Sequence, residues 1–150
     1  MSRSIIVRRL VADDGRVAKQ LFAMMAQAFG EQAEELSDAQ VDALLSDSRF
    51  WVVSALAGEE VVGGLTAHTI PMTLKPSLGL FVYDVAVRAN HRRCGVGRRL
   101  MSKLQVEAAK LRIDEIFVLA DNEDAHALDF YRALGGVPSA VTMFDFGASR

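Results

Sequence analysis

Apolar residues recur along this chain with two different periods, and the places where the period changes mark out its elements. "IIVRRL" (Ile5 to Leu10) reads as a first strand. Between Asp14 and Phe29, apolar Val17, Leu21, Met24, Met25 and Ala28 return at helical spacing, and Gly30 follows as a stop. Ser37 is placed to cap a second helix, "SDAQVDALLSD". "FWVVSAL" and "EVVGGLTAHTI" then predict the two strands of a hairpin joined through "AGEE". "LGLFVYDVAV" (Leu78 to Val87) is apolar with one interruption and suits a central strand. A helix is predicted from Gly97 to Leu111, where Leu100, Met101, Leu104, Ala108 and Leu111 share a face. "EIFVLA" predicts another strand, Ala125 to Leu134 a helix closed by Gly135, and "AVTMFDF" a last strand.

This order sets helices within a run of strands and then alternates strand, loop, helix, strand, helix, strand. It predicts an α/β or α+β fold around one mixed sheet. No Pro/Gly/Ser-rich linker, repeat or low-complexity tract divides the sequence, so residues 1–150 are expected to form a single domain. Such a chain is long enough to bury roughly two-thirds of its unfolded surface. The formal net charge of -2 argues against a nucleic-acid partner, which would call for a basic excess. One cysteine excludes an internal disulfide and fits a reducing compartment. No segment approaches the roughly 18 apolar residues of a membrane span. "MSRSIIVRRL" lacks a signal-peptide core, so the expected location is the cytoplasm, with no membrane partner. His68, His91 and His126 show no metal-ligand spacing; they read as solvent-facing or structural, and no metal is expected.

The most specific stretch is "HRRCGVGRRL", His91 to Leu100. A strand, a glycine-rich turn and a helix N-terminus converge free backbone N–H groups on an anion. Gly95 and Gly97 allow close backbone approach and conformations closed to other residues. A nucleotide P-loop would need Gly-Lys-Ser/Thr where Gly97-Arg98-Arg99 stands, and a dinucleotide fingerprint would need a third glycine where Leu100 stands. A plain turn with solvated arginines is the alternative. Against it, Arg98 and Arg99 lie at the end of the helix that disfavours cations unless an anion compensates.

The pattern Arg92-x-x-Gly95-x-Gly97, with "YDVAV" before it and "ALDFYRALGG" after it, resembles the pyrophosphate loop of the GNAT superfamily of acyl-CoA-dependent N-acyltransferases. The resemblance implies a mixed, mostly antiparallel sheet flanked by about four helices, with acetyl-CoA as co-substrate. It implies pantetheine pairing along Val85, Ala86 and Val87, and phosphates held by Arg92, Arg93, Cys94, Gly95, Val96, Gly97 and Arg98. Asn122 and Ala127 complete the implied coenzyme contacts. A narrower resemblance runs from "AFGE" through "HTIPMTLKPSLGLFVYDVAV", "HRRCGVG" and "LADNEDAHALDFYRALGG" to "VTMFDF". These stretches are similar to the type I aminoglycoside 3-N-acetyltransferases. The chain departs from them at "EQAEELSDAQ", a segment that borders the acceptor site in that family. The implied partner is a small polycation, an aminoglycoside such as gentamicin, with room left for a homodimer.

Acetyl transfer to an amine needs a base for the ammonium proton, a donor for the developing oxyanion and a proton for the departing thiolate. Tyr131 resembles the family tyrosine that faces the coenzyme sulfur, although Ala127, Tyr131 and Leu134 also share a face that would suit a core. Asp84 interrupts an apolar run, where a carboxylate is costly unless paired or facing a polar cavity. It reads either as a structural residue bonded to backbone amides or as the group that binds and deprotonates the acceptor. The N–H of Val85 is then a candidate oxyanion donor. Asp121, Glu123 and Asp124 sit at a strand end and a helix start; capping is the simpler role for Asp124. Together with Asp145, Glu31, Glu34, Glu35 and Asp38 they are expected to line an acidic pocket. Cys94 reads as a small loop residue. Other small polyamines, a peptide amine, or coenzyme sensing without turnover remain the competing functions.

Overall fold

Local chemistry fixes several of the helix ends in a computed structural model that describes residues 4–147. The chain forms two compact units, Met1–Leu119 and Ala120–Arg150. In the first, β1 (Ile5–Arg9) leads into α1 (Gly15–Ala28) and α2 (Asp38–Ser46). Then come β2 (Phe50–Ala57), β3 (Glu60–Pro71), β4 (Leu78–Val87), α3 (Val96–Lys110) and β5 (Glu115–Val118). Ser37 Oγ accepts from Gln40 N at 3.1 Å while Gln40 Oε1 accepts from Ser37 N at 2.8 Å, a reciprocal box that starts α2. Gly30, with φ 67°, ends α1; Gly30 N donates to Gln27 O and Glu31 N to Ala26 O, which pins the backbone of Glu31 to the helix end.

The sheet order is β1-β2-β3-β4-β5. All pairs are antiparallel except β4 with β5, which is parallel. The expected mixed, mostly antiparallel sheet is therefore present, and the described residues hold four α-helices in all. Alternation along the strands builds two apolar layers. On one face Val52, Leu56, Val61 and Ala86 pack with Ala18, Leu21, Met24 and Met25 of α1 and Val41 of α2. Trp51, Val53, Leu65, Leu80 and Val82, one register step away, are fully buried, as are Leu100, Leu104 and Ala108 of α3. Burying each such leucine contributes about 1.5–3 kcal/mol. Gly64 lets α1 lie this close, because a Cβ there would collide with Leu21 and come within 2.9 Å of Val53 O. The buried Trp51 ring is covered by the Arg9 guanidinium, 4.1 Å from its centroid.

Two expectations need correction. Leu78–Val87 is a central strand only in its first half, since β5 is four residues long and pairs with Gly79 to Val82 alone. "AVTMFDF" forms no strand: residues 140–146 carry no sheet pairing, and Val141, Met143, Phe144 and Phe146 are exposed. Alternation alone supplies no partner edge, and a strand without one leaves its ladder unmade. The second unit holds α4 (Ala125–Ala133), which ends as Gly135 N donates to Arg132 O and Gly136 N to Tyr131 O. Among the described residues no helix is long and apolar enough to cross a membrane.

Candidate functional site

β4 carries an extra residue. Thr66 pairs with Asp84 and Ala67 with Val82, so Tyr83 has no partner on β3 and forms a bulge. The bulge coincides with the point where β5 stops. From Tyr83 to Val87 no strand among the described residues covers the second edge of β4. Arg88 N donates to Val62 O on β3 at 2.8 Å. Peptide groups alternate along a strand, so Val85 and Val87 turn their N–H and C=O groups to the open edge, whereas Ala86 turns its own toward β3. An exposed strand edge of this kind accepts an extended amide chain as an added strand.

Asp84 follows the bulge directly and is half-buried. Among the described residues it accepts no hydrogen bond from a backbone amide, which the reading of Asp84 as a structural residue bonded to backbone amides requires. Burial pushes its pKa up, the nearby Glu31 carboxylate pushes it further the same way, and His68 acts in the opposite sense. A carboxylate raised in this manner is a stronger base than an ordinary one. Glu31 is thus within electrostatic reach of Asp84. Glu35 and Asp38 are not free acidic groups: Lys19 Nζ lies 3.9 Å from Glu35 and 2.5 Å from Asp38. Glu34 is exposed on the same loop.

After β4 the backbone is anchored by Arg88, whose Nε donates to Val61 O at 2.7 Å. Arg92 Nε donates to Val87 O at 3.2 Å. Arg93 and Gly95 are both left-handed, with φ 62° and 78°, on either side of Cys94. Alternating handedness turns successive N–H groups toward one side, the geometry of an anion-binding nest. Gly95 is the N-cap of α3 and has no side chain with which to close the helix end. A Cβ on Gly95 would meet nothing within 4 Å. Val96 and Gly97 already belong to the helix, so Gly97 keeps ordinary helical backbone and only Gly95 needs glycine's conformational freedom. Among the described residues no carboxylate lies within ion-pair distance of Arg92, Arg93, Arg98 or Arg99. An uncapped helix N-terminus, a nest and uncompensated guanidinium groups suit a pyrophosphate. Cys94 is exposed, its Sγ 3.5 Å from Arg92 O.

In the second unit, Asp124 Oδ1 accepts from Ala127 N at 3.1 Å and caps α4, as its simpler reading expected. Asp121 Oδ1 accepts from Glu123 N at 2.9 Å, just before Asn122 and the helix, and Asp145 Oδ1 from Gly147 N at 2.7 Å. Tyr131 lies on α4, half-buried with its ring 5.1 Å from that of Phe130. Ala127, Tyr131 and Leu134 are all partly buried, and no residue of α4 is fully buried. Among the described residues no group of three His, Cys, Asp or Glu is arranged to hold a metal ion.

Nothing in the pattern singles out Arg88 or Tyr83 beforehand. One anchors the loop and the other creates the bulge, and both roles depend on strand register.

Residues 18–135 match the acetyltransferase (GNAT) family, whose acyl donor is acetyl-CoA. The sequence matches no curated protein. Among solved structures, the chain is similar to an aminoglycoside acetyltransferase, HMB0005, from an uncultured soil metagenomic sample. The two share 31% identity over 97% of this chain and 99% of that one, with a TM-score of 0.92. A second aminoglycoside acetyltransferase from such a sample, meta-AAC0020, is similar at 26% identity in its complex with sisomicin, covering 97% of each chain with a TM-score of 0.92. Its complex with trehalose aligns at 28% identity over 97% of each chain with a TM-score of 0.91. The bulged strand with its open edge, the nested loop at the head of α3 and the family match over both units lead to one conclusion: the chain belongs to the acetyltransferase (GNAT) family.

Proposed function

We propose that this protein, acting as one catalytic domain, transfers the acetyl group of acetyl-CoA to an amine of an aminoglycoside. The amine proposed is the 3-amino group of 2-deoxystreptamine. The observation that carries the reading is Asp84, half-buried directly after the β4 bulge and beside the open edge, with the Glu31 carboxylate within electrostatic reach. Two carboxylates there suit an ammonium on a polycation, and the relatives named above act on, or are complexed with, molecules of that class.

Acetyl-CoA supplies the acyl group as a thioester. The Gly95 loop and its arginines hold the pyrophosphate, and the Val85 and Val87 peptide groups pair with the pantetheine arm. Asp84 takes the ammonium proton, directly or through water, and frees the nitrogen lone pair. The Val85 N–H donates to the carbonyl oxygen as charge develops there. Tyr131 holds the proton that the departing sulfur receives when the C–S bond breaks. Glu31, Asp121, Asp124 and Asp145 are proposed acceptor contacts.

Thiol release from acetyl-CoA against aminoglycosides, polyamines and peptides tests this, with the product mapped by NMR. The expected product of gentamicin or sisomicin carries one acetyl group, on the 3-amino nitrogen, and expression in a susceptible bacterium raises the inhibitory concentration of gentamicin. A product acetylated at another amine would reject the regiochemistry. No turnover of any 2-deoxystreptamine compound would reject the substrate class.

A further inference from the structure

A row of rings crosses the sheet beside Asp84, on residues from four strands. Phe50 of β2 lies 5.1 Å from His68 of β3, ring centroid to ring centroid, and His68 lies 5.9 Å from Tyr83 of β4. Tyr83 stands 5.8 Å from Phe81, which stacks at 5.0 Å on Phe117 of β5. Cross-strand pairing explains most of the row, since Phe50, His68 and Phe81 are register partners and Phe81 pairs with Phe117. Tyr83 does not follow from the register. It is the bulge residue, and its ring meets both His68 and Phe81 nearly at right angles, 84° and 81°. Two edge contacts restrict it, yet it is 61% exposed.

A tyrosine held in place but left open presents a large surface whose ordering is already complete, which is how aromatic side chains contribute most to binding. Its sequence neighbour is Asp84, beside Glu31. The two features together describe a ligand: flat and apolar on one side, with an ammonium group at one end. A saccharide ring bearing an amine has both. Its C–H face packs on an aromatic ring, and its cation is drawn to the ring's negative face. An open-chain polyamine can satisfy the carboxylates, but it presents no rigid C–H face to pack on the ring.

We propose that Tyr83, positioned by His68 and Phe81, is the platform on which the amine-bearing ring of the acceptor seats, and that it selects ring-borne amines over open-chain ones. This rests on the aminoglycoside reading above and adds to it the residue that discriminates.

The test compares wild type with Tyr83→Ala, Tyr83→Leu and Tyr83→Phe, using sisomicin and spermidine as acceptors and following acceptor KM, kcat and acetyl-CoA KM. Removing the ring in Tyr83→Ala or Tyr83→Leu should raise the sisomicin KM about tenfold, the scale of leaving roughly 50–60 Å² of apolar ring face in water. The sisomicin KM should rise by more than any spermidine KM while acetyl-CoA KM is retained, and Tyr83→Phe should keep the sisomicin affinity. An unchanged sisomicin KM in the Ala and Leu variants would overturn the inference while leaving the aminoglycoside reading intact. An equal loss of acetyl-CoA affinity would overturn it too, because the ring would then be supporting the strand. Failure of the wild type to bind or acetylate sisomicin would instead sink the aminoglycoside reading, and this inference with it.

Discussion

Gly95→Ala isolates the conformation of the loop from its crowding. At φ 78°, Gly95 occupies the left-handed region, and an added Cβ would meet no protein atom within 4 Å. The cost of the substitution is therefore backbone strain, about 1–2 kcal/mol for an L-residue. It can be expressed in two ways. If the loop keeps its shape, the folded state carries the strain and the melting temperature falls by about 2–8 °C for a chain of this size. If the loop relaxes, stability is retained, but the N–H groups at the head of α3 no longer converge. A bias of about 1–2 kcal/mol against the competent loop then weakens acetyl-CoA binding about 5- to 30-fold. Thermal melts and calorimetric titration with acetyl-CoA, run on the same sample, divide the strain between the two. Gly95→Asn should recover part of whichever loss is found, because asparagine tolerates the left-handed region better than alanine does. An alanine variant with both an unchanged melting temperature and an unchanged acetyl-CoA affinity would refute the reasoning.

Asp84→Asn should cut turnover and raise the melting temperature at neutral pH. Burial and Glu31 raise the folded pKa, so stability from Asp84 is complete below the ordinary carboxylate value, about 4, and is lost as pH climbs through the higher folded one. A melting temperature lower than wild type across that window would contradict this. Tyr131→Phe should lower turnover about tenfold or more with acetyl-CoA affinity retained, as steady-state kinetics can show; full activity with reduced stability would assign the phenol to packing. Ser54→Ala should stabilise the fold by about 1 kcal/mol, because the Ser54 hydroxyl is fully buried without a hydrogen-bond partner. Denaturant melts showing a loss instead would mean that the hydroxyl is satisfied.

The helices were legible because their determinants are local. Val17, Leu21, Met24 and Met25 recur at the helical period, Gly30 stops α1 and Ser37 caps α2, all within a few residues of one another. The glycine-arginine loop was legible as a strand-to-helix turn for the same reason, and Asp84 drew notice as a charge inside an apolar run. Other features depended on which strand lies beside which. The bulge at Tyr83 exists because β4 carries one residue more than β3 can pair. The open edge at Val85 and Val87 exists because β5 stops after four residues. The left-handed Arg93 is imposed by a chain fixed at Arg88 and at α3, and no local preference of arginine foretells it. Glu35 and Asp38 looked like free carboxylates until α1 brought Lys19 against them. "AVTMFDF" has the alternation of a strand, yet among the described residues it forms none. Periodicity and capping act within a turn or two of chain, so the sequence alone determined the helices, the strand candidates and the loop. Pairing register acts between distant segments, and only the tertiary structure decided which amides face an open edge and which carboxylates stand together.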